Sequence, residues 1–235
     1  MADRPFQRLD ATSVEHTVAR LRERIHARFP GRGLARLAGE LELLTVEVRD
    51  SAAETRARVR LTRLLARLLI LVIVAATLVA FALAIRDAAI DGPDQSFEWL
   101  PLIESSINDL VFAAIAVFFL LGLPNRIERG HMLTLLHRLR SVAHIVDMHQ
   151  LTKDPERVRP SYIVTTSSPA VGLDRREMEH YLDYCSEMLS LVGKVAALCA
   201  EESQDSVVLD TVSTIETLTT GMSRKIWQKI SLLPD

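Results

Sequence analysis

Four histidines fall close together in the stretch HMLTLLHRLRSVAHIVDMHQ, at positions 131, 137, 144 and 149. Imidazole titrates near neutrality and ligates first-row metals, so this run is the first place to look for chemistry. Spacing decides which of the four can cooperate. On a helix His137 and His144 share a face, Asp147 follows His144 by three residues, and Arg140 precedes it by four. A metal reading uses His144 and Asp147, joined by His137 and by an acid from Asp183 or Glu187. It meets a geometric objection. The seven-residue step from His137 to His144 is ~10 Å along a helix axis, whereas helical His pairs that share an ion sit four apart, as in HExxH. The stripe Arg140, His144, Asp147 better suits a polar network inside a bundle or between subunits, with plain solvation as the alternative. No metal and no cofactor is assigned.

A second cluster is acidic: Glu104, Ser105, Asn108 and Asp109 open the apolar run Leu110–Leu123. In an oligomer, rings of Glu104, Asn108 and Asp109 could line a cation-selective pore. The preferred reading is a helix start in a headgroup layer, where acids and a serine cap favour the N-terminus. A third group is basic. Arg56, Arg58, Arg60, Arg63 and Arg67 precede the apolar run Leu68–Ile85 and are placed to face anionic lipid. The segment Arg224–Ile230, with Trp227 at its centre, can also lie on lipid, or end a bundle with cations at a helix C-terminus.

Nucleophile chemistry has no support. GxSxG, P-loop and HExxH patterns are absent, as is GxGxxG after a strand. Cys185 and Cys199, fourteen apart on one seam, read as core residues. No catalytic residue is assigned.

Composition narrows the class. The chain has 235 residues, 49% hydrophobic and 25% charged, too apolar for a disordered protein. Two cysteines exclude a disulfide scaffold, and a net charge of −2 argues against a nucleic-acid binder. The charge is segregated. Residues 1–67 hold 14 Arg and no Lys against 9 acids, while residues 86–109 hold one Arg against 6 acids.

Leu68–Ile85 is 18 residues without a charge. As a helix it reaches ~27 Å, near the ~30 Å of a hydrocarbon core once Leu64–Ala66 extend it and Arg67 snorkels. The second run has 14 uncharged residues and can cross when the helix begins near Ile103. Arginines flank the outer ends of both runs, and the segment between is acidic. The positive-inside rule therefore predicts both termini in the cytoplasm, with Phe97 and Trp99 at the outer interface. Residues 1–30 lack the apolar core of a signal peptide.

Around the spans the pattern is helical. Thr12-Ser13-Val14-Glu15 reads as a capping box before the stripe Val14, Val18, Leu21, Ile25. Leu34, Leu37, Leu41, Leu44 and Val48 make a coiled-coil seam, read as one rod running to Ile85. Pro124-Asn125 is expected to end the second span, with Asn125 capping a new helix to about Gln150. Asp174-Arg175-Arg176-Glu177 caps a further helix, and a last one follows the break at Ser203–Ser206.

These elements give an all-α, two-pass transmembrane hairpin with long cytoplasmic helices in a bundle or coiled-coil domain. Its parts are an N-terminal helical stalk (1–63), a transmembrane hairpin (64–124) and a C-terminal bundle (125–235). The spans cover about 64–86 and 103–124, the outer acidic loop 87–102, and a long loop 152–173. Helices expected at about 12–29, 34–64, 126–151, 174–202 and 205–231 supply the bundle. The expected function is a non-enzymatic plasma (inner) membrane protein that presents this platform for self-assembly, scaffolding or signalling. Its expected partners are membrane lipid, further copies of the chain and a protein bound to the bundle, without nucleic acid. The alternatives are a homo-oligomeric cation channel lined by the second span and a metal-dependent membrane enzyme using helix 131–149.

Overall fold

The computed structural model describes residues 8–90, 99–168 and 172–234, with the side chains at 52–59, 87–90, 99–102 and 202 left aside. Half of the outer loop expected at 87–102, residues 91–98 with Phe97 among them, lies outside the described residues. So do the side chains of Arg56, Arg58 and Trp99. The elements are α1 (Ala11–Arg28), α2 (Gly33–Ile90), α3 (Trp99–Leu151), a 3-10 turn (Pro155–Val158), α4 (Arg175–Glu202) and α5 (Ser206–Ser231). No strand occurs among the described residues. The chain divides into two compact units, one formed by Met1–Ala53 with Arg129–Asp235, the other by Glu54–Glu128.

The first unit is a helical bundle arranged about α4. Helix α4 is buried on nearly every side, with Met178, Leu182, Cys185, Met188, Leu189, Val192, Val195 and Ala196 fully enclosed. A helix apolar on most of its circumference belongs at a bundle centre. It starts with a complete capping box: the Asp174 carboxylate accepts from the Glu177 backbone N–H, and Glu177 accepts from that of Asp174. Helix α5 buries one stripe, Val208, Val212, Ile215, Thr219, Met222 and Ile226. It runs antiparallel to α4: Arg175 Nε donates to the Pro234 carbonyl at one end, and Gly193 meets Thr219 midway. A Cβ on Gly193 would stand 3.1 Å from the Thr219 hydroxyl, so glycine sets how closely the two helices approach. From α1, Phe29 packs edge-on against Tyr181 and Tyr184, with ring centroids 5.4 and 6.1 Å apart.

Helix α2 runs to Ile90 and α3 starts at Trp99, so each extends about four residues into the loop expected at 87–102. Two further boundaries differ from the expectation for a physical reason. Helix α1 begins one residue earlier and is capped by Asp10, whose carboxylate accepts from the Ser13 N–H at 2.9 Å and the Ser13 hydroxyl at 2.6 Å. A carboxylate complements the helix dipole better than the Thr12 hydroxyl, so it takes the cap. The second correction is larger. Pro124 does not end a helix, and Asn125 caps nothing, because α3 runs unbroken from Trp99 to Leu151. An interior proline removes one backbone donor and costs ~3 kcal/mol, which neighbouring contacts can offset. Here Pro124 is buried, and the Arg126 guanidinium lies 4.8 Å over the Phe119 ring, bridging the proline turn.

The second unit carries the apolar runs. Two helices are long and apolar enough to cross a membrane, over Arg60–Arg86 and from Ile103 onward. No residue of either apolar window is buried. Leu71 is 68% exposed and Phe118 74%. The less exposed positions follow a seam, Ala66, Ile70, Ile73, Thr77 and Ala84 on α2, with Ala113, Ala116, Leu120 and Pro124 on α3. Arg63 approaches Glu128 at 4.0 Å within the same unit. The Thr77 hydroxyl donates to the Ile73 carbonyl at 2.9 Å, which satisfies it inside the helix.

The two units respond differently to truncation. Leu139 is fully enclosed in the bundle, so Leu139→Ala is expected to destabilise it by about 2–5 kcal/mol. Leu71→Ala removes no enclosed contact and is expected to leave the transition unmoved. Thermal unfolding of both variants in detergent, followed by circular dichroism, makes the comparison.

Candidate functional site

The histidine helix is the second half of α3. Its inner face is apolar: Leu135, Leu136, Leu139, Val142, Ala143 and Val146 are buried, which turns the opposite face outward. His137, Arg140 and His144 are exposed and Asp147 is half-buried. Among the described residues neither Arg140 nor His144 makes a hydrogen bond or ion pair, so one chain alone does not assemble the polar network of Arg140, His144 and Asp147. Asp147 instead accepts from the Gln150 side-chain amide at 2.8 Å. No group of three or more His, Cys, Asp or Glu side chains that could hold a metal occurs among the described residues. Of the acids considered as further ligands, one is engaged elsewhere and the other is held in a partly buried place. Glu187 receives both Arg24 guanidinium nitrogens, at 2.7 and 3.0 Å. The Asp183 carboxyl is pushed above its ordinary range by burial and by neighbouring Glu187.

The other candidates lie in the second unit. Glu104, Asn108 and Asp109 are exposed on α3, and Arg60, Arg63 and Arg67 are exposed on α2. Both thiols are enclosed in the bundle, and burial pushes Cys185 and Cys199 up to about 12. Neither is a thiolate at neutral pH, so neither is an active nucleophile. Trp227 is 58% exposed on α5.

Gly33 and Lys153, which sequence reasoning did not single out, meet His149 and Lys229 where α3 ends. His149 lies across the first turn of α2. A Cβ on Gly33 would stand 2.4 Å from its Cε1, so only glycine leaves room for the ring. Lys153 is 9% exposed, and its ammonium stands 5.0 Å over the Tyr181 ring. Lys229 Nζ reaches back from α5 to the carbonyls of Gln150 and Lys153, at 3.0 and 3.4 Å. This closes the C-terminus of α3 with a cation, which the helix dipole favours. The sequence signals for the site are His149 and the basic segment Arg224–Ile230, which holds Lys229; its other members come from distant segments.

No family model, curated protein or solved structure matches the chain.

Burial, with Lys153 and Arg36 nearby, lowers the His149 pKa below 6.5. Between the folded value and 6.5 the unfolded chain therefore binds more protons. Stability rises with pH through that window and is lost on acidification below 6.5. The unfolding midpoint is expected to fall between about pH 7 and about pH 5.5, and to fall less in His149→Gln. Thermal unfolding across that pH range checks it. Equal slopes in the two proteins would assign the effect to other groups.

Proposed function

We propose that this chain is an integral membrane protein that crosses the bilayer twice, at about 64–86 and 103–124, and presents the bundle of the first unit on the cytoplasmic face as an assembly or signalling platform. The observation that carries the reading is that no residue of either apolar window is buried within the protein. A soluble protein buries such helices; here lipid is the solvent that suits them. Continuous helix also satisfies the backbone through each span. Arg60, Arg63 and Arg67 at one end of the first span, with Arg126 and Arg129 after the second, support an orientation with both termini inside a plasma membrane. The outward stripe of Arg140, His144 and Asp147 supports self-association as a symmetric homo-oligomer, in which that stripe finds partners on a second copy, whereas the leucine seam of α2 is enclosed within the bundle of one chain.

After alkaline extraction the protein is expected in the membrane pellet, with tags at either terminus reached only when the membrane is permeabilised. Light scattering in detergent is expected to give a mass above one chain. Full-length protein dispersed in buffer without detergent would overturn the membrane reading, and a strict monomer across concentration would overturn the assembly.

A second reading rests on Glu104 and Asp109. Both are exposed at the start of the second span and have no ion-pair partner among the described residues. In a homo-oligomer they would stand as rings at a pore mouth. Single-channel recording in planar bilayers is expected to show a cation current whose selectivity disappears in Glu104→Gln/Asp109→Asn. A membrane that stays silent excludes the channel and leaves the platform intact.

A further inference from the structure

Helices α4 and α5 leave a cleft of 340 Å³ on the solvent side of their seam, within the ~300–1,000 Å³ of small-molecule sites. Small side chains open it. Ser186, Ser190 and Gly193 follow one another at four and three residues on α4, and Thr219 and Ser223 at four on α5, so each set lies on one face of its helix. The floor is buried: Ser186 is 7% exposed and Thr219 3%, with Gly193 against Thr219. Because the helices run antiparallel and Gly193 meets Thr219, Trp227 stands at the Ser186 end of the cleft and Glu216 at the Lys194 end.

Among the described residues no aliphatic side chain lines this cleft, which sets it apart from a groove for an apolar helix. Its hydroxyls are also open. Elsewhere in the bundle Thr17, Thr45, Thr134, Ser141, Thr211 and Thr214 each donate to the carbonyl four residues back, which satisfies them inside their own helices. Among the described residues the side chains of Ser186, Thr220 and Ser223 make no hydrogen bond. Ser186 is both buried and unpartnered, so its hydroxyl can be satisfied only from the cleft. At the rim the Lys194 ammonium donates to the Ser190 hydroxyl at 3.0 Å. Among the described residues neither Lys194 nor Glu216 forms an ion pair.

We propose that this cleft binds a neutral cyclic polyol of monosaccharide size. Charge selects neutrality. Lys194 and Glu216 cancel, both are exposed, and charges screened by solvent at a rim hold a charged ligand weakly. The buried floor instead carries hydroxyls, each a donor and an acceptor, which is the character of a sugar hydroxyl. Trp227 supplies the other half of the match. It is 58% exposed, and among the described residues it meets no other ring or cation. A pyranose has an apolar face of C–H groups and a polar edge. The indole covers the face while Ser186, Thr220 and Ser223 meet the edge. An apolar ligand would leave those hydroxyls unmet, and an amino acid would draw on the two rim charges and leave the floor unused. Every residue of the site lies on α4 or α5 in the first unit, so the site does not rest on the membrane reading.

The test uses full-length protein in a polyoxyethylene detergent, which carries no sugar headgroup. Saturation-transfer difference NMR is recorded with glucose, galactose and mannose as probes and with alanine as a zwitterionic control. Saturable transfer to at least one sugar is expected, strongest at the protons of its C–H face, with none to alanine. Ser186→Ala is expected to weaken binding about five- to tenfold, through the loss of one hydrogen bond. Its unfolding midpoint is expected to stay level or rise, because the hydroxyl has no partner in the chain. Trp227→Ala is expected to weaken binding about tenfold or more, and Trp227→Phe to restore part of it. Ser213→Ala, on α5 outside the cleft, is expected to bind as the wild type does. If Ser186→Ala does not fold, Ser223→Ala takes its place from a half-buried position. The proposal is overturned if no sugar gives saturable transfer, if alanine responds as strongly as the sugars, or if either the serine variant or Trp227→Ala binds as well as the wild type.

Discussion

Apolar surface without protein cover is the condition that governs this molecule. Between Leu68 and Leu123, side chains such as Leu71, Phe112 and Phe118 stand open on helices that no other element encloses. At roughly 25 cal/mol per Å² of apolar area, water is a poor solvent for such rods. In lipid the same surface carries no penalty, and the remaining demand is that every backbone and side-chain polar group be satisfied locally. Unbroken helix meets it for the backbone, and the bond from Thr77 to Ile73 meets it for a hydroxyl. The bundle obeys the opposite rule. It encloses its own apolar residues around α4 and turns its charges outward, several of them into pairs.

How much of this was readable depended on the range of the interaction concerned. Periodicity located the amphipathic helices α1, α4 and α5, because a 3-4 repeat of apolar residues is a local record of which face will be buried. The stripe Val14, Val18, Leu21, Ile25 and the box Asp174–Glu177 both lie within a few residues of chain, and both are formed. Local rules fell short where two local signals competed. At the start of α1 the Thr12 hydroxyl and the Asp10 carboxylate could each cap, and the charged acceptor holds the position. At Pro124 the breaker signal is real, but it gives way to contacts that span the proline. Arg126 over Phe119 is one of them, and it comes from a residue first read only as an orientation charge.

The histidine helix shows why residue type alone is a weak guide to chemistry. His137, Arg140 and His144 attract notice because they titrate or ligate, yet they project from the face opposite Leu135, Leu139 and Val146. A bundle that buries the leucines must expose the others. The histidine with a changed environment is His149, where the helix curls under the α1–α2 turn and meets Gly33. In the sequence Gly33 stands in Pro30-Gly31-Arg32-Gly33, a run whose composition is that of a turn. Its further role, leaving space for a ring more than a hundred residues away, is a tertiary property that no window along the chain contains.

The same reasoning explains why the basic end of the bundle escapes a linear reading. Arg32, Lys153, Arg157 and Lys229 come from three separated regions, and each has an ordinary local explanation as a turn residue, a loop residue or a helix-terminal cation. Lys229 ties the end of α5 to the end of α3, and Arg32 ties the α1–α2 turn to the segment entering α4. Arg24, Arg49, Arg129 and Arg138 fasten other segments in the same way, meeting the carboxylates of Glu187, Glu15, Asp205 and Glu47. A cation whose acceptor lies in a distant segment leaves no pattern in a local window, so the contacts that close the bundle exist only once the helices have packed.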